Sequence, residues 1–147
     1  MHELCMEFTF SNISVVMGSR DEEKAIGKVI TDIKRSTENQ AEIVVVDGSK
    51  DKTPEIAESM GARVIRQKPQ GYGIAVKTAL LAATRDVIIT VDCDDTYPAE
   101  FIPQFLQKIN EGYDVVSGSR LMMATDSMVK FNKFGNETFA KLTSLLY

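Results

Sequence analysis

Val87-Ile-Ile-Thr-Val91 runs straight into Asp92-Cys-Asp-Asp-Thr-Tyr-Pro98, and this junction decides the fold. The run is apolar or β-branched throughout, without polar alternation, which reads as a strand covered on both faces in a parallel sheet. The chain then turns acidic at once, and Pro98 suits the first turn of a helix over 99–110 that stops before Gly112. Strand, acidic turn and helix make one step of an α/β fold.

The same step recurs on either side. Ile13-Ser-Val-Val-Met17, Ile43-Val-Val-Val46 and Arg63-Val-Ile65 read as further strands buried on both faces, and Tyr113-Asp-Val-Val116 as a fifth. A helix over 22–35 puts Ala25, Ile26, Val29, Ile30 and Ile33 on one face. A shorter one over 53–60 ends at Gly61, suited to a left-handed cap. A third over 73–84 carries Ala75, Val76, Ala79, Leu80 and Ala83. The alternation predicts a mostly parallel central sheet between helical layers, in a single domain over 1–147. Residues 1–11 are expected to be an N-terminal extension and 126–147 a tail helix.

Composition narrows the function. A chain of 147 residues, 44% hydrophobic and 26% charged, is ordinary globular usage and excludes a disordered tail, a collagen repeat or a coiled coil. A net charge of −4 argues against nucleic-acid binding, so a bound nucleotide needs local features or a metal. Cys5 and Cys93 share no metal or redox spacing, and His2 is the one histidine. Zinc is therefore not expected, and the usage suits a reducing, cytoplasmic interior. No signal peptide is expected at the N-terminus, and the stretch over 8–19 is too short and polar to span a bilayer. Membrane contact is expected to be peripheral.

In a parallel sheet the chemistry lies at the carboxyl ends of the strands. Those ends are Gly18-Ser-Arg-Asp-Glu-Glu23, Asp47-Gly-Ser-Lys-Asp-Lys-Thr53, Gln70-Gly-Tyr-Gly73, Asp92-Cys-Asp-Asp95 and Ser117-Gly-Ser-Arg120. Three carboxylates in four residues repel unless a cation neutralises them, and hard oxygen donors suit Mg²⁺ or Mn²⁺. The competing reading of Asp92-x-Asp94 is a polar turn capping the next helix. Cys93 between them suits the core. Asp47 faces the ligand edge, where it could accept base or ribose hydrogen bonds, while Asp51 or Thr53 caps the next helix. Gly71-x-Gly73 lacks the third glycine of a dinucleotide fingerprint, Val76 standing there, but permits close backbone approach to a ribose or phosphate. Arg20 and Arg120 are the cations best placed for phosphate or sugar, and Met122, Met123 and Met128 suit core or interface.

Taken in order, these motifs resemble the nucleotide-binding half of family 2 glycosyltransferases of the GT-A fold, a Rossmann-like three-layer sandwich. The likeness is strongest to dolichyl or polyprenyl phosphate sugar synthases. It runs from about Ile13 to Asn136. Where members carry Pro-x-Tyr-Asn-Glu, this chain has Gly18-Ser-Arg-Asp-Glu22, and Gln70 stands where lysine or arginine is common.

The resemblance implies transfer of a sugar, with inversion, from a nucleotide-diphosphate donor of the GDP-mannose or UDP-glucose type to a polyprenyl or dolichyl phosphate. It implies donor contacts from Gly18, Ser19, Arg20, Glu22, Asp47, Gly71, Asp92 and Cys93. It also implies a divalent ion on Asp92 and Asp94, catalytic roles for Asp94 and Arg120, and acceptor-side contacts from Lys133 and Asn136. Against the family pattern the acceptor side is expected to stop short. The alternative is then a catalytically incomplete nucleotide-sugar-binding or dimerising remnant. Phe139, Leu142, Leu145 and Leu146 would be covered by a second copy. A nucleotidyltransferase or a receiver domain would need different residues after the first strand.

Overall fold

The computed structural model describes residues 7–118. The described elements are strands β1 (Ile13–Ser19), β2 (Glu42–Asp47), β3 (Arg63–Arg66) and β4 (Val87–Thr90). They alternate with helices α1 (Ile26–Ser36), α2 (Thr53–Ser59), α3 (Tyr72–Ala82) and α4 (Ile102–Asn110). Each predicted strand up to residue 91 and each predicted helix up to residue 110 is present within a few residues of its expected bounds.

All strands are parallel, in the order β3-β2-β1-β4. The chain adds strands on one side of β1 and then crosses over to place β4 on the other. That reversal opens a crevice beyond the carboxyl ends of β1 and β4, where open α/β sheets hold their ligands.

Side-chain alternation along β1 divides the core. Ile13, Val15 and Met17 meet α1, α2 and α4 on one face, through Ile26, Val29, Ile30, Ile33, Ala57, Ile102 and Leu106. Each buried Ile, Val, Leu or Met among them contributes about 1.5–3 kcal/mol. Val16, Val44 and Val46 point to the opposite face and meet α3 through Ala79, with Ala75, Ala82 and Ala83 packed around them. Alanines let α3 lie close to the sheet. A Cβ built on Gly18 would stand 3.1 Å from the Ala75 Cβ, so the end of β1 needs a glycine there.

Three expectations are corrected. Only β1 and β2 are buried along both faces; β3 is half-exposed, and β4 alternates, with Ile88 42% exposed. Both are edge strands among the described residues, and α3 alone covers the second face. The stretch Tyr113–Val116 forms no strand, and Val115 is 84% exposed. Two β-branched residues after the left-handed turn at Gly112 bury too little to hold an edge ladder. Helix α1 also starts later than expected, because Glu22 to Ala25 forms a turn in which the Glu22 carbonyl accepts the Ala25 and Ile26 N–H groups.

Part of the expected extension is docked rather than loose. The Phe8 N–H donates to Asn110 Oδ1 and Asn110 Nδ2 donates back to the Phe8 carbonyl, each at 2.9 Å, while Phe8 and Phe10 pack on the core. The expected tail helix over 126–147 lies outside the described residues.

Candidate active site

A cavity of about 380 Å³ opens at the carboxyl ends of β1, β2 and β4, at the strand-order reversal. Gly18, Ser19, Arg20 and Glu22 line it from the β1 loop, and Asp47 and Gly48 from the end of β2. The segment from Gln67 to Tyr72 forms another wall, and Asp92, Cys93 and Asp94 close it from β4. Every donor-side residue expected from the sequence is thus in one cavity. Arg120, Lys133 and Asn136 lie outside the described residues, as do Met122, Met123 and Met128.

Asp47 is only 2% exposed, and its carboxylate is heavily engaged. Ser19 Oγ donates to Oδ1 at 2.7 Å, Ser49 Oγ to the same oxygen at 2.6 Å, and the Ser49 N–H to Oδ2 at 3.0 Å. Parallel register makes this possible, since Ser19 sits opposite Asp47. Asp47 therefore braces two loops at the cavity floor as well as lining it.

Further bonds bind the same two loops. The Asp21 N–H donates to Ser49 Oγ, the Lys50 N–H to Asp21 Oδ1, and the Glu22 N–H to Thr53 Oγ1, all within 2.8 Å. Asp51 accepts from the Thr53 N–H and hydroxyl and from the Glu23 N–H. Together these outweigh the effect of desolvation and hold its carboxyl below the usual range. The Asp47-Gly-Ser-x-Asp-x-Thr53 motif is a clamp for the β1 loop, beyond the turn and helix cap that spacing alone suggested.

The Asp92-Cys93-Asp94 turn splits its side chains. Cys93 faces inward at 6% exposure, its thiol donating to the Gly18 carbonyl at 3.2 Å. Burial, aided by the charge of Glu22, pushes that thiol up to about 12, so it stays protonated and offers no soft ligand. Asp92 and Asp94 face the cavity instead. Asp94 Oδ1 accepts the Thr96 N–H at 3.0 Å and hydroxyl at 2.7 Å. Asp92 Oδ1 accepts the Tyr72 hydroxyl at 2.5 Å, and this bond is the main reason the Tyr72 phenol is pushed up to about 12.

Among the described residues, no three acidic, histidine or cysteine groups form a cation cage. Two carboxylates at one cavity edge instead fit Mg²⁺ or Mn²⁺, which is commonly held by one or two carboxylates with ligand phosphates and water completing the shell.

Two cations border the cavity. Arg20, with a 67% exposed side chain, pairs among the described residues with its neighbour Asp21 at 3.9 Å, and Lys68 lies in the wall formed by the segment from Gln67 to Tyr72. Lys68 was not singled out in the sequence; it stands two residues before Gln70 and supplies a positive charge to that wall. Ser49 and Tyr72 were likewise passed over. A tyrosine between two glycines at a helix start was the available signal for the second.

The sequence model described as Glycosyl transferase family 2 matches residues 14–133. A dolichyl-phosphate hexose transferase of Haloferax volcanii is 57% identical over 140 residues, covering 95% of this chain and 61% of the relative. The chain thus spans about three fifths of that relative's length. A solved mycobacterial protein superposes with a TM-score of 0.61 at 32% identity, over 71% of this chain and 38% of the other. The mannosyltransferase PcManGT of Pyrobaculum calidifontis, solved with GDP-Man and Mn²⁺, superposes with a TM-score of 0.58 at 22% identity. That likeness covers 67% of this chain and 31% of the other, and bears on the fold. Sheet order, cavity position, motif order and a family match across most of the chain agree: this chain belongs to glycosyl transferase family 2.

Proposed function

We propose that the chain carries the donor side of an inverting glycosyltransferase that moves a hexose from a nucleotide diphosphate to a polyprenyl or dolichyl phosphate. The observation that carries this reading is the meeting of Asp92 and Asp94 with Asp47, Arg20 and Lys68 around one cavity at the strand-order reversal. The name of the Haloferax relative supports the acceptor class and the hexose. The GDP-Man and Mn²⁺ bound to PcManGT support the donor class and the cation.

In this reading Asp92 and Asp94 hold Mg²⁺ or Mn²⁺, which when bound offsets charge on the departing diphosphate. The chain itself does the positioning. The braced floor at Asp47 and Ser19 receives the nucleoside, and Gly18 keeps the end of β1 against α3. Arg20 and Lys68, both in the cavity lining, meet the phosphates. The family resemblance adds catalytic roles for Asp94 and Arg120 and acceptor-side contacts for Lys133 and Asn136. An acceptor phosphate is already anionic near neutral pH, so the transfer needs orientation more than a strong base. Among the described residues no helix is long and apolar enough to cross a membrane.

Titration calorimetry of the full chain with GDP and with UDP, each with and without Mn²⁺, tests the donor site. Mn²⁺-dependent binding of one nucleotide is expected, and binding of neither removes the assignment. Transfer of labelled hexose to polyprenyl phosphate then tests the acceptor class.

A further inference from the structure

In both cavity-facing carboxylates the hydrogen bonds fall on one oxygen. Asp94 Oδ1 is held by Thr96, and Asp92 Oδ1 by Tyr72. Among the described residues, neither Oδ2 takes a hydrogen bond. Thr96 is two residues from its partner, a local turn any such sequence can make. Tyr72 is different, reaching Asp92 from a separate element 20 residues away.

The fold aims it there. Gly71 has a φ of +102°, a left-handed conformation that a side chain would strain, and the turn sets Tyr72 as the first residue of α3 beside the end of β4. The ring gains little from burial, because Tyr72 is 65% exposed. Packing therefore does not account for the residue, and the hydroxyl does. The backbone around Asp92 is already fixed, since Val91 packs on the core and Cys93 is tied to Gly18. What remains free is the rotation of the Asp92 carboxylate, and the phenol removes it.

We propose that Tyr72 is a positioning residue for the divalent cation, its hydroxyl orienting the Asp92 carboxylate so that Oδ2 is presented to the metal. This rests on the reading of Asp92 and Asp94 as cation ligands. Carboxylates that bind metals are commonly oriented by a hydrogen bond to the other oxygen, and losing that partner weakens metal binding roughly 10- to 100-fold.

The test is Mn²⁺ titration of the full chain, followed by electron paramagnetic resonance of the free ion, with GDP or UDP at saturation. Tyr72→Phe keeps the ring and removes the hydroxyl. It is expected to raise the Mn²⁺ dissociation constant about tenfold, with an unchanged melting temperature. In an Asp92→Asn background, the same substitution is expected to have no further effect. Mn²⁺ binding by Tyr72→Phe as tight as, or tighter than, that of the unaltered chain overturns the positioning role alone. Undiminished Mn²⁺ binding by Asp92→Asn overturns the cation-site reading and this inference with it.

Discussion

Lys28 on α1 and Asp95 beyond β4 are 67 residues apart, and Lys28 Nζ lies 2.6 Å from Asp95 Oδ1. Asp95 has a φ of +62°, a left-handed backbone that costs a non-glycine residue about 1 kcal/mol or more. Lys28 also reaches Asp32 at 2.9 Å, and the two carboxylates, Asp95 first, raise its pKa. The helix thus holds the strained residue that follows Asp94, and so fixes where the Asp92-x-Asp94 turn ends.

Lys28→Met is therefore expected to weaken Mn²⁺-supported nucleotide binding about three- to tenfold. The lower end applies if salt screens this exposed pair strongly. Asp95→Gly accepts the same φ without strain and has no carboxylate for Lys28. In that background Lys28→Met should change binding little. A full Lys28 effect without Asp95 would show that the lysine acts by another route, and calorimetry on the four proteins decides it.

The floor of the cavity makes a separate claim. Asp47 accepts three hydrogen bonds while almost wholly buried, one of them from a backbone N–H that can only donate. Asp47→Asn replaces one accepting oxygen by an NH₂ group, which meets either the Ser49 N–H or the two serine hydroxyls. A loss of roughly 1–3 kcal/mol in stability is expected, measured by urea unfolding, together with weaker nucleotide binding. Ser19→Ala removes one donor and should cost less.

These relationships mark what could be read in the chain. β1 and β2 were legible because continuous Val and Ile runs bounded by polar turns have few alternatives. α1 was legible because Ile26, Val29, Ile30 and Ile33 repeat at helical spacing. The strand-end motifs then placed the cavity. The exposed side of β4 was hidden, since Ile88 and Ile89 look equivalent in a sequence and differ only through what covers them. Asp47–Ser19, Asp92–Tyr72 and Asp95–Lys28 were hidden for another reason. Each joins separate elements, and the pairing is set by strand register and helix placement rather than by local spacing. Lys68 entered the cavity wall because the segment before α3 lines it, which residue type alone does not reveal.

At the opposite end of the sheet, Glu42 gives a pH dependence with a definite sign. Its desolvation favours the protonated form, but the Ser14 hydroxyl, the Arg63 guanidinium and the Thr84 N–H and hydroxyl outweigh it and hold the carboxyl at about 2. A folded value below the unfolded one means the ionised form is stabilised by folding. That stability is fully present above the ordinary value of 4.5 and is lost as pH falls from there towards 2. Urea unfolding at pH 6 and at pH 3 should differ by roughly 1–2 kcal/mol through this group. Glu42→Gln should be less stable at pH 6 and should lose that part of the pH difference. An unchanged difference in the variant would move the acid sensitivity to other carboxylates.

Gly18 tests whether the close approach of β1 to α3 serves the site or only the core. A methyl at this position would stand 3.1 Å from the Ala75 Cβ, tighter than ordinary contact, so Gly18→Ala must push α3 outward by a few tenths of an ångström. Overpacking of this kind costs about 1–3 kcal/mol. It also moves Tyr72, because Ala75 lies one turn along the same helix. Ala75→Gly in the same chain removes the opposing methyl and should restore the spacing, although a second helix glycine costs about 1 kcal/mol of its own. Gly18→Ala is therefore expected to lower both the melting temperature and nucleotide affinity. The double variant should recover affinity more completely than stability. If affinity instead follows stability in all three proteins, the helix position matters for packing alone, and the cavity tolerates movement of its α3 wall.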